Sequence, residues 1–145
     1  MVGSLSHSGD LVGALAGPAT AWRGMGLDVE RMGRVEPALW HLLFTPPEQE
    51  FLGRAESGVQ VFLATAFFSV KEAFLKLPSP QPELITDYRN VEVRYRDGRF
   101  SVHGVERNLR LHFNEPALEA DVMQYGAFVV STILLEAPGG ETEVW

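Results

Sequence analysis

The chain has 145 residues, enough for one domain with a real hydrophobic core, and its 46% hydrophobic content points to an ordered globular protein. A net charge of −7 argues against general nucleic-acid binding, although a local basic cluster could still hold an anionic ligand. The absence of cysteine excludes disulfides, thiolate metal sites and a cysteine nucleophile and fits a cytoplasmic chain; no apolar run reaches bilayer length, and Met1 to Asp10 lacks the basic start and apolar centre of a signal peptide.

In chain order, Ser4 to Ser8 alternates weakly, Ser8-Gly9-Asp10 signals a turn, and Leu11 to Ala16 predicts a short buried strand closed by Gly17-Pro18. From Ala21 to Arg31 the odd positions Met25, Leu27 and Val29 are apolar, which predicts a strand with Asp28 and Glu30 on its other face. Pro37 to Phe44 predicts a short helix. Thr45-Pro46-Pro47-Glu48 then reads as a second helix start, with Thr45 as N-cap, Pro46 as first helical residue and Glu48 as reciprocal capping partner. Val59 to Leu77 is the longest helical pattern, stopped by Pro78, Pro80 and Pro82. Val91, Val93 and Tyr95 alternate toward an Asp97-Gly98 hairpin turn, with Phe100 and Val102 on the return strand. Leu109, Leu111 and Phe113 alternate too. Tyr125 to Leu135 predicts one continuous central strand, and the acidic tail 138–145 is expected to be flexible.

Two groups carry chemistry. With Ser69 at zero on the long helix, Thr65, Glu72 and Lys76 fall within about 60° of it, while Lys71 lies almost opposite. A mostly apolar helix therefore bears one narrow polar stripe holding a carboxylate and an ammonium. The plain alternative is an ordinary Glu72/Lys76 i,i+4 ion pair. Asp28 and Glu30, at i and i+2 on a strand, lie about 6.5–7 Å apart. They form either a solvated sheet face or a site for a hard cation such as Mg²⁺. His7, between two serines, is a weaker anion contact. No P-loop, dinucleotide fingerprint, zincin motif or nucleophile elbow occurs, and His41, His103 and His112 show no ligand spacing. Arg89, Arg94, Arg96 and Arg99 around the predicted hairpin read as a solvated face.

These pieces stand in a known order. Gly3-Ser4-Leu5-Ser6-His7-Ser8, then Gly26-Leu27-Asp28-Val29-Glu30, then Phe68-Ser69-Val70-Lys71-Glu72-Ala73-Phe74-Leu75-Lys76, resembles the motif series of surfactin- and enterobactin-type 4′-phosphopantetheinyl transferases. Phe68 stands where that series has tryptophan. The resemblance implies an α+β fold in which a small antiparallel sheet packs against the long helix. It implies Asp28, Glu30 and Glu72 as Mg²⁺ ligands, Glu72 and Lys76 as the catalytic pair, and Ser4, Ser6, His7, Lys71 and Lys76 as coenzyme A contacts. The partner it implies is an acyl or peptidyl carrier protein. Arg23, Arg31 and Arg34 flank the Asp28–Glu30 element and read either as solvated arginines or as a docking patch for that carrier.

Surfactin-type enzymes are built from two similar halves, and here the Ser-His element opens the chain. The expectation is therefore a remnant of the first half over residues 1–20, a transferase subdomain over 21–137, and a need for the missing half or for an oligomer. A chain of that kind would be an active transferase or an incomplete binding module.

Overall fold

The computed structural model describes residues 1–78, 87–105 and 117–139. The predicted strand through Leu109, Leu111 and Phe113, Pro80 and Pro82, and residues beyond 139 lie outside these. The architecture is α+β, as expected. Strands β1 (Val2–Ser8) and β2 (Leu11–Gly17) form a two-stranded hairpin. Strands β3 (Trp22–Arg31), β4 (Val91–Arg96), β5 (Arg99–Gly104), β6 (Leu118–Tyr125) and β7 (Phe128–Glu136) form an antiparallel sheet in the order β3-β7-β6-β5-β4. A 3₁₀ turn (Pro37–Leu39) leads into three helices: α1 (Trp40–Leu43), α2 (Pro46–Arg54) and α3 (Ser57–Leu75).

Local chemistry sets several boundaries. Thr45 and Glu48 form the predicted capping box at the start of α2, each side chain accepting from the other's backbone N–H. The β4–β5 turn places both Asp97 and Gly98 at positive φ, as a two-residue hairpin requires. The apolar run from Tyr125 is not one strand. Gly126, at positive φ, turns the chain, so Tyr125 ends β6 and β7 begins at Phe128. Hydrophobicity alone could not reveal that break, because the turn sits inside an apolar stretch.

Helix α3 carries the core. Ten of its residues are buried, and Phe67 meets Phe44 and Phe100 edge-on at 6.3 and 6.2 Å. Contrary to the sequence expectation, its length and composition match those of a membrane span, but here it packs along the sheet. Its contact with β3 is close: a Cβ on Gly26 would lie 1.9 Å from the Ala73 carbonyl oxygen, so only glycine lets these backbones meet.

Strand β3 is covered on both faces. Gly26 abuts α3. On the opposite face, Leu27 and Val29 pack under Gly13 of the hairpin, and Met25 under Gly17. The hairpin does not extend the sheet by backbone pairing. Instead the Leu27 and Val29 N–H groups donate to the Ser4 and Ser6 hydroxyls at 3.0 and 3.1 Å. Strand β2 is not the buried strand expected. Its residues alternate between half-buried and exposed, and Val12 is 70% exposed.

Candidate functional site

Asp28 sits mid-strand on β3, opposite Ser131 of β7. It is only 3% exposed, which rules out a solvated sheet face. Its Oδ1 accepts from Lys76 Nζ at 3.2 Å and from the Ser6 hydroxyl at 3.4 Å. Its Oδ2 is buried with no hydrogen-bond partner, as are the hydroxyls of Ser69 and Ser131. Lys76 caps the C-terminus of α3, where a cation also complements the helix dipole. Its ammonium reaches the carbonyls of Leu27 at 2.8 Å and Leu5 at 3.4 Å, tying helix, strand and hairpin together.

The polar stripe on α3 is thus split. Thr65 and Ser69 are buried, and the Thr65 hydroxyl turns back to the Val61 carbonyl. Glu72 and Lys76 emerge at the helix end beside β3. The i,i+4 ion pair does not form: Lys76 binds Asp28, and Glu72 accepts a 2.5 Å hydrogen bond from the Tyr88 hydroxyl.

Three carboxylates act on one another here. Glu30 is pushed up to about 8, by burial first, then by the charge of Asp28 and a side-chain hydrogen bond with it, then by the charge of Glu72, with Lys76 opposing. Burial, and then the bond to Glu72, hold the Tyr88 phenol protonated above its usual range. One consequence is measurable. Between the ordinary carboxylate value of 4.5 and about 8, folded Glu30 keeps a proton that the unfolded chain has released. Stability of the metal-free protein is therefore expected to fall as pH rises through that window. Calorimetric melting in chelator from roughly pH 5 to roughly pH 8.5 should show the decline, and Glu30→Gln should flatten it.

Among the described residues, no three His, Cys, Asp or Glu side chains stand as a ready-made metal shell. The donor set nevertheless suits a hard cation. It is all oxygen, and it holds more negative charge than Lys76 balances.

The other predicted contacts divide. Ser4 and Ser6 face β3 and accept its backbone N–H groups, with Ser6 also touching Asp28. His7 is exposed on the opposite face of the hairpin, across from Val12 and away from the carboxylates. Lys71 is fully buried, and its ammonium is committed to Glu48 Oε1 at 2.6 Å and to the Leu43 and Tyr88 carbonyls at 2.8 and 2.9 Å. It supports the site from inside and is not placed to touch coenzyme A. Arg23, Arg31 and Arg34 are exposed, but Arg23 and Arg31 stand near opposite ends of β3, about 26 Å apart at strand spacing, so they do not make one patch. A cleft of about 310 Å³ between α2 and β4, lined by Pro47, Phe51, Phe67 and Tyr95, contains none of the predicted site residues.

Sequence reasoning missed Tyr88, which follows the proline-rich segment without any motif. No sequence signal pointed to it, because its contacts with Phe68, Lys71 and Glu72 are made only by tertiary packing.

Solved structures with this fold include holo-[acyl-carrier-protein] synthases. That of Thermotoga maritima aligns with TM-score 0.63 and 19% identity over 78% of this chain and 62% of its own. That of Neisseria meningitidis aligns with TM-score 0.61 and 18% identity over 80% of this chain and 99% of its own. That of Helicobacter pylori, solved in complex with coenzyme A, aligns with TM-score 0.59 and 15% identity over 78% and 99%. This chain therefore spans less than two thirds of the Thermotoga chain but nearly all of the other two. No curated protein matches it in sequence. The sequence pattern of the 4′-phosphopantetheinyl transferase superfamily matches residues 24–129, most of the chain, and the protein belongs to that superfamily of transferases.

The expectation within that superfamily was a surfactin-type enzyme, whereas the solved structures named above that share its fold are of the holo-[acyl-carrier-protein] synthase type. The expected truncation gains no support from them, since two of their chains are covered almost end to end. The Ser-His element belongs to an N-terminal hairpin seated on β3 through the Ser4 and Ser6 hydroxyls.

Proposed function

We propose that this protein transfers 4′-phosphopantetheine from coenzyme A to a serine of an acyl or peptidyl carrier protein in a Mg²⁺-dependent reaction, within the cytoplasm. The observation that carries the reading is the meeting of Asp28, Glu30 and Glu72 beside the Lys76 ammonium, on a superfamily member whose fold relatives include a coenzyme A complex. Asp28, Glu30 and Glu72 would hold the metal, with residues 1–20 as a cap over the catalytic body 21–137. When bound, Mg²⁺ supplies positive charge to the phosphate oxygens of coenzyme A.

The chain's own residues supply the rest. Glu72 accepts the proton of the carrier serine as its oxygen attacks the β-phosphorus. The bond to 3′,5′-ADP breaks and the nucleotide leaves. Lys76 is partly exposed at the helix end and can turn its ammonium toward charge growing on the phosphates. Ser4 and Ser6 keep the hairpin against β3 and so fix the floor on which Asp28 stands.

The test is direct. With Mg²⁺, coenzyme A and an apo carrier, intact-mass spectrometry should show a carrier heavier by one phosphopantetheine, and chelator should prevent the change. An unmodified carrier, beside a control synthase that modifies it fully, would remove this reading.

A further inference from the structure

The geometry points to Tyr88 as the positioning residue for Glu72, and we infer that the motif lysine Lys71 acts on the site through it. This rests on the metal and base roles proposed above for Glu72. Phe68, Lys71 and Glu72 stand at i, i+3 and i+4 and so project from one face of α3. All three touch Tyr88, each at a different part. The Phe68 ring packs on the tyrosine ring with centroids 5.5 Å apart. The Lys71 ammonium donates to its backbone carbonyl at 2.9 Å. Its hydroxyl donates to Glu72 Oε1 at 2.5 Å.

The chain of contacts extends inward. Lys71 is anchored by Glu48, whose other oxygen accepts the Val93 N–H at 2.8 Å. Tyr88 is thereby fixed in ring and backbone by residues that do not themselves reach a ligand, and its hydroxyl is left to hold Glu72. Glu72 is half-buried at the end of a helix, and without a partner its long side chain would sample several rotamers. A phenol donating to a carboxylate at this distance is a strong, charge-assisted bond. It commits one oxygen of Glu72 and leaves the second to bind cation or serine proton. The same contacts account for the aromatic at Phe68 and for a buried lysine beside the functional glutamate.

Tyr88→Phe removes only the hydroxyl and keeps both the ring packing and the carbonyl that Lys71 holds. Mn²⁺ binding to the full chain, followed by water-proton relaxation, should weaken about 10- to 100-fold in this variant, as for other partners that orient a metal ligand. Its thermal midpoint in chelator should stay close to that of the unaltered protein, which separates positioning from folding. Unchanged or tighter Mn²⁺ binding in Tyr88→Phe, together with weakened binding in Glu72→Gln, would overturn this inference alone. Mn²⁺ binding that Glu72→Gln leaves unchanged would overturn the metal reading and this inference with it.

Discussion

Glu72→Gln should lower phosphopantetheine transfer by about 10²- to 10⁴-fold, the range associated with loss of a positioned general base. The substitution is nearly isosteric, and the glutamine carbonyl can still accept from Tyr88. What disappears is the negative charge. Without it the side chain can neither take the serine proton nor contribute to holding a cation beside Asp28 and Glu30. The fold should survive, because Glu72 is half-buried at the helix end and makes no ion pair that the structure depends on. Turnover is read from carrier mass over time, with a melting curve as control. A variant retaining more than about a tenth of the activity would exclude Glu72 as the base, since that is less than base catalysis contributes.

Lys71→Met is expected to act on stability instead, with a cost of about 3–5 kcal/mol, the range found when one member of a buried ion pair is removed. Both side chains of the Lys71–Glu48 pair are fully buried. Burial raises the Glu48 carboxyl and lowers the Lys71 ammonium, and each charge opposes the shift in the other. Methionine can fill the volume of the lysine stem. It leaves the Leu43 and Tyr88 carbonyls without their donor and a buried carboxylate with only the Thr45 and Val93 N–H groups. Urea unfolding should show the midpoint displaced downward. The double variant Lys71→Met/Glu48→Gln should recover part of the loss, because the unpaired charge is then gone. An additive double variant would mean that the two side chains contribute independently.

The two predictions separate adjacent residues of one helix by function. Glu72 faces the carboxylate cluster, and Lys71 faces the protein interior. Helical phase already set these apart in the sequence, since Lys71 falls off the polar stripe. The motif resemblance pulled the other way by grouping them as one ligand-facing element. Burial decides the matter: an ammonium with three internal acceptors and no exposed surface has none left for a phosphate.

Local patterns by themselves determined much of this protein. Alternation placed β3, β4 and β5, the Thr45–Glu48 box marked the start of α2, and Asp97-Gly98 marked the tight hairpin. Motif order implied a common site for Asp28, Glu30, Glu72 and Lys76. These signals are legible because each depends on residues within a turn or a strand pair of one another. Only the tertiary structure decided the partners. It put Lys76 on Asp28 and not on Glu72, joined Lys71 to Glu48 across 23 positions, and brought Tyr88 to Glu72 across 16. It also seated the N-terminal hairpin on β3 through serine hydroxyls. Such contacts follow from the packing of α3 against β3 at Gly26 and from the need to satisfy every buried charge. Neither condition has a period along the chain that a sequence pattern could display.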